Sequence, residues 1–67
     1  MERIITFKND SGLQCSVFKS GRGYLASLSN GNHFRGQGYF YRLARATSTA
    51  EIWFSTAEKT ELEKQSV

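Results

Sequence analysis

The chain carries one cysteine, Cys15, and one histidine, His33. An imidazole titrates near neutral pH and can serve as a general base. A base needs a nucleophile or an acid partner at hydrogen-bond reach. Cys15 alternates with Leu13 and Val17 on the apolar side of a predicted strand, which reads as an inert buried thiol. His33 follows Asn30-Gly31 in a predicted loop, so the two do not read as a catalytic pair. Four-ligand zinc sites need several Cys and His, more than this chain has. Gly21-Arg22-Gly23 is too short to cradle a phosphate and reads as a turn. The glutamates of the tail, Glu51, Glu58, Glu61 and Glu63, read as a solvated helix face and not as an acid pair. The expectation is a protein that is not an enzyme, with no cofactor and no metal.

The chemistry left is that of recognition. Residues 33–45 hold four of the nine aromatics and three of the five arginines, behind Gly36 and Gly38. Bases stack on aromatic faces for roughly 1–3 kcal/mol each, while arginine neutralises phosphate. Strand alternation puts Tyr39, Tyr41 and Leu43 on one face and Phe40, Arg42 and Ala44 on the other. The expected contacts are Arg22, Arg35, Arg42 and Arg45 on phosphates. Phe40, with Tyr39 or Tyr41, is expected on the bases. The competing reading is that these rings are core on both sides of a sheet, since most of nine aromatics in so small a protein must pack inside.

Charge is unevenly spread. Residues 1–50 carry seven Lys or Arg against two Asp or Glu, for +5, whereas residues 51–67 carry two against four, for −2. A basic body with an acidic tail points to a polyanion or an acidic partner. No export signal and no run near the roughly 20 apolar residues of a membrane span is visible. A lone thiol agrees with a cytoplasmic location.

The elements that must position these groups follow from pattern. Residues 3–8 are rich in β-branched and aromatic types and predict a strand. Asn9-Asp10-Ser11-Gly12 predicts a turn. Leu13-Gln14-Cys15-Ser16-Val17 alternates, with Phe18 falling on the face of Gln14 and Ser16. A turn at 19–23 leads to a strand at 24–29, with Tyr24, Ala26 and Leu28 on one side. Asn30-Gly31 is a hairpin signal, because a type I′ turn needs positive φ at both central residues. Gly36 and Gly38 mark a bend, a bulge or a close backbone approach. Residues 39–45 are the clearest predicted strand.

The last third allows two readings. Ser-Thr-Ala-Glu occurs at 48–51 and again at 55–58, and each fits a capping box. The first gives one helix over about 49–65. The second gives a strand at 51–54 and a short helix from Thr56. Ile52, Trp53 and Phe54 are consecutive apolar residues that fit one helical stripe poorly, so strand then helix is preferred. Ala57 and Leu62 are the apolar positions of that short helix.

Arg35-Gly36-Gln37-Gly38-Tyr39-Phe40-Tyr41 resembles the RNP1 strand of RNA-recognition motifs at Arg35, Gly36, Gly38 and Tyr39. It departs at Gln37, where that family has a stacking aromatic, and at Arg42. The same stretch is similar to the Gly-Phe-Gly-Phe strand of cold-shock domains, without the Trp-Phe-Asn stretch that precedes it there. Phe54-Ser55-Thr56-Ala57-Glu58-Lys59 resembles the strand-to-helix junction of AP2-like and phage-integrase arm-binding domains. Those domains read DNA with a three-stranded sheet. The likenesses span about eight and fifteen residues, and they imply nucleic acid at a sheet face.

The expected architecture is one α+β domain over residues 1–67, a small antiparallel sheet of four to five strands with a short C-terminal helix. A small all-β barrel is the alternative. The expected role is nucleic-acid binding through a basic, aromatic sheet face, in a protein of phage or mobile-element type. The alternative role is an inhibitor that docks on an acidic surface of a host nucleic-acid-handling or defence complex, as anti-CRISPR proteins do. A chain this short buries only about 60% of its unfolded surface. Homodimerisation, with Trp53 and Phe54 at the contact, is an expected source of added stability.

Overall fold

The computed structural model describes residues 2–31 and 33–65, with side chains up to residue 61. Within it lie β1 (Glu2–Lys8), β2 (Leu13–Ser20), β3 (Gly23–Asn30), β4 (His33–Phe40) and α1 (Leu43–Gln65). The strands pair in chain order, each antiparallel to the next, so β1 and β4 are open edges. The fold is α+β, and the sheet does not close into a barrel. No helix among the described residues is long and apolar enough to cross a membrane.

Alternation decides which face is core. Leu13, Cys15 and Val17 of β2 are fully buried. Register sets Leu28, Ala26 and Tyr24 of β3 beside Cys15, Val17 and Lys19 on that same face. The three turns use the chemistry their residues provide. Asn9 Oδ1 accepts from the backbone N–H of Ser11 at 3.0 Å and of Leu13 at 3.2 Å, an Asx turn closed by Gly12 at φ +95°. Gly21, the first of the two central residues between β2 and β3, sits at φ +60°, whereas Arg22 has negative φ, as a type II′ turn requires. The third turn is displaced by one residue from the expected Asn30-Gly31 pair. Asn30 closes β3 opposite His33, and Gly31 takes the left-handed φ of +61°.

The helix runs back over the core face. Ala46 and Ala50, both fully buried, bring its backbone close to Cys15, Val17 and Ala26. Trp53 then reaches towards β4, with its ring centroid 6.3 Å from that of Phe40. Phe54 reaches towards β1 and stacks on Phe7 at 6.1 Å. Gly38 makes room for the indole: a Cβ there would lie 2.9 Å from Trp53 Cη2.

Three expectations are corrected. The strand predicted at 39–45 ends at Phe40, and α1 begins at Leu43 after a bend at Tyr41-Arg42. Leu, Ala and Arg are among the strongest helix formers, and the Ala46 N–H donates to the Arg42 carbonyl at 3.1 Å to start the helix. The strand predicted at 51–54 is helical, and both Ser-Thr-Ala-Glu boxes lie inside α1 with Ser48 and Ser55 exposed. Ile52-Trp53-Phe54 suits this helix because it packs on a broad sheet. Two neighbouring rings can splay to opposite sides of that surface, which leaves Ile52 outside at 63% exposure. The helix is therefore long, 23 residues, not short. The side chains of Leu62 and Glu63 lie outside the described residues.

Candidate nucleic-acid interface

The end of β4 and the start of α1 bring Tyr39, Phe40, Tyr41, Arg42 and Arg45 around one open concavity of about 270 Å³. Tyr39 is its fixed element. The ring crosses the β2–β3 turn, and its hydroxyl donates to the Ser20 carbonyl at 2.8 Å. Gly23 is required beneath it, because a Cβ there would meet Tyr39 Cζ at 2.7 Å and the Phe40 carbonyl at 2.5 Å. The Tyr41 ring meets Tyr39 edge to face at 5.6 Å and is 78% exposed. Such a pair offers one ring held in place and one free face.

The predicted site residues divide between two ends of the molecule. Arg42 occupies the bend and Arg45 the first turn of α1, beside the two tyrosines. Arg22 lies in the β2–β3 turn at that same end, next to the Tyr39 hydroxyl's anchor on Ser20. Phe40 contributes an edge to the concavity, but its ring belongs to the core face against Trp53. The expected strand face that presents Phe40 and Arg42 side by side is absent, because the strand stops between them. Arg35 is at the far end of β4, about 17 Å from Phe40 at roughly 3.4 Å per residue, and its guanidinium faces Glu61 at 4.0 Å.

That far end is also where two of the tail's glutamates go, Glu58 and Glu61, and these two are not a solvated face, whereas Glu51 is exposed as expected. Glu58 accepts from the Asn9 side-chain amide at 2.8 Å. Glu61 accepts from the Asn30 side-chain amide and from the Ser11 hydroxyl. Both carboxylates tie α1 to the two hairpin loops at one end of the sheet. Among the described residues, Arg22, Arg42 and Arg45 make no ion pair. Among the described residues, Glu58 and Glu61 are thus engaged at the loop end, while Arg42 and Arg45 stand without an ion pair beside tyrosine rings at the other, the end where Glu2 pairs opposite Lys19.

Other candidates are silent. Cys15 is fully buried, and burial raises its thiol pKa above the ordinary value of 9.0, which suppresses the reactive thiolate. Trp53 and Phe54 turn inwards on Phe40 and Phe7, and each stays half-buried. Among the described residues no three His, Cys, Asp or Glu cluster as metal ligands.

The sheet face away from α1 escaped the sequence reading. Register lines it in three cross-strand rows: Arg3-Phe18-Leu25-Tyr39, Thr6-Ser16-Ser27-Gln37 and Lys8-Gln14-Ser29-Phe34. The signal was present in β2, where Gln14, Ser16 and Phe18 alternate against the core residues. No protein-family profile, curated protein or solved structure matches the chain.

Proposed function

We propose that this protein is a nucleic-acid-binding module, not an enzyme, whose phosphate and base contacts centre on Tyr39, Tyr41, Arg42 and Arg45, with Arg22 at the rim. The observation that carries the reading is the concavity itself, two arginines that have no acidic partner among the described residues, beside an exposed edge-to-face tyrosine pair. Guanidinium groups supply charge for phosphate, and the rings supply stacking that tolerates any base. Phe40 acts behind this surface by fixing Trp53, and Arg35 belongs to the loop clamp.

The test is fluorescence anisotropy with labelled mixed-sequence oligonucleotides over a salt series. Binding is expected to weaken steeply with salt, with a log–log slope of about −0.7 for each phosphate neutralised on a single strand. Arg42→Ala with Arg45→Ala should flatten that slope by one to two such contacts. Affinity indifferent to salt overturns the reading.

A second reading uses the same side chains. Tyrosine and arginine are the commonest interface anchors, and Tyr41 at 78% exposure is available to one. The protein would then inhibit a host nucleic-acid-handling or defence complex by docking on its acidic surface. A stoichiometric partner retained after nuclease treatment, and lost with Tyr41→Ala, favours this reading over the first.

A further inference from the structure

The helix covers one face of the sheet and leaves the other uncovered. The rows on that open face have a defined chemistry. The central row, Thr6-Ser16-Ser27-Gln37, is polar and mostly small, with Thr6 and Ser16 hydroxyls bonded at 3.1 Å. Aromatic rings stand on either side of it along β4. Phe34 is 64% exposed and Tyr39 47%. They flank the row at a separation of about 14 Å, four residues of the paired β2 at roughly 3.4 Å each.

Every charge placed on this face by register is positive. Lys8 ends one row, and Arg3 ends another with its guanidinium 5.6 Å from the Phe18 ring centroid. The described carboxylates lie elsewhere: Glu2 pairs opposite Lys19 on the helix side, Asp10 is in a turn, and Glu51, Glu58 and Glu61 are on α1. The face runs directly into the tyrosine–arginine concavity through Tyr39, which belongs to both.

We infer that this open face is a track for single-stranded nucleic acid. The inference rests on the reading above and names its ligand. A polyanion matches the one-signed charge. Exposed rings on either side of the polar row, both on β4, offer platforms for splayed bases, whose flat faces are hidden in a duplex. Duplex docking is poorly served. Four strands at about 4.8 Å spacing are some 14 Å across before side chains are added, wider than the roughly 12 Å major groove. The helix, which could enter a groove, has its solvent side lined by Glu51, Ile52 and Ser55 and offers few cations.

The experiment measures anisotropy of labelled single strands of about 12 nucleotides, within the about 4–16 that such a groove covers. A blunt duplex of the same sequence is run beside them. Variants are Gln37→Glu, Gln37→Ala, Phe34→Ala and the double variant Arg42→Ala/Arg45→Ala, each checked by circular dichroism and a thermal melt. Gln37 and Phe34 are exposed, so these changes leave the core untouched. The expected result is single-strand binding at least about tenfold tighter than duplex binding, weakened about tenfold by Phe34→Ala. Gln37→Glu should weaken it severalfold and Gln37→Ala should not. Duplex binding equal to or tighter than single-strand binding overturns the inference. So does loss of affinity in the arginine double variant with none in Gln37→Glu and Phe34→Ala, a result that leaves the concavity reading standing. No binding of either nucleic-acid form removes both.

Discussion

Gly36 and Gly38 lie two residues apart on the helix-facing side of β4, opposite Leu28 and Ala26, yet alanine is expected to act with opposite sign at the two. At Gly38 a Cβ would stand 2.9 Å from Trp53 Cη2 and 3.2–3.3 Å from two Phe40 ring atoms. The obstacle is a pair of packed rings, and neither moves without disturbing the other. Overpacking of this kind costs about 1–3 kcal/mol. A 67-residue chain at roughly 0.05–0.15 kcal/mol per residue holds some 3–10 kcal/mol in all. At about 4–8 °C per kcal/mol for a domain of this size, Gly38→Ala should lower the melting temperature by about 5–20 °C. At Gly36 nothing lies within 4 Å of the added carbon, and the φ is not left-handed. Gly36→Ala should therefore be neutral or stabilise by about 0.4–1 kcal/mol, by restricting the unfolded chain. Thermal and denaturant unfolding report both. Trp53→Phe supplies the control, because a smaller ring should relieve the clash. In a double-mutant cycle Gly38→Ala should then cost at least about 0.5 kcal/mol less. Equal effects of alanine at 36 and 38, or no coupling between 38 and 53, would refute the packing argument.

Further outcomes follow from other contacts. Gly23→Ala should be more damaging than Gly38→Ala, since its Cβ would meet the Phe40 carbonyl at 2.5 Å and backbone cannot swing aside; chemical denaturation ranks the two. Glu61→Ala removes the acceptor shared by Asn30 and Ser11 and should cost about 1–2 kcal/mol, with amide exchange rising first in the two hairpin loops. A thiol reagent should label Cys15, which is fully buried, only at the rate of opening. Because burial raises the Cys15 pKa above 9.0, its contribution to stability is complete below that pH and is lost as pH rises further. The loss is at most about 1.4 kcal/mol per unit, and Cys15→Ala should remove that component from a stability–pH curve. An unchanged curve in Cys15→Ala would sink the assignment.

Local chemistry was enough for the first half of the fold. Leu13-Cys15-Val17 and Tyr24-Ala26-Leu28 alternate with period two, and one face of an antiparallel pair must be apolar, so their sides follow from order alone. Asn9 and Gly21 specify turns within reach of their own backbone. The antiparallel α+β class follows from the same signals. Alternation is also what misled at residues 39–45, where tyrosines on one side imitate a strand face. Whether Tyr41 continues β4 or leaves it depends on where α1 must start in order to lay Ala46, Ala50 and Trp53 on the sheet, which is a long-range matter.

Only the assembled chain settled the places of the candidate site residues. Phe40 and Tyr39 are neighbours in sequence, and packing sends one ring against Trp53 and the other across Gly23. Arg35 and Arg42 share one basic stretch, and the helix's return brings Glu61 to the first while leaving the second beside Tyr41. Glu58 and Glu61 read as solvated because a helix's own sequence carries no record of the loops it will meet. Residues 58 and 61 lie 49 and 31 positions from Asn9 and Asn30, and a hydrogen bond over such a separation exists only once the sheet and the helix have docked.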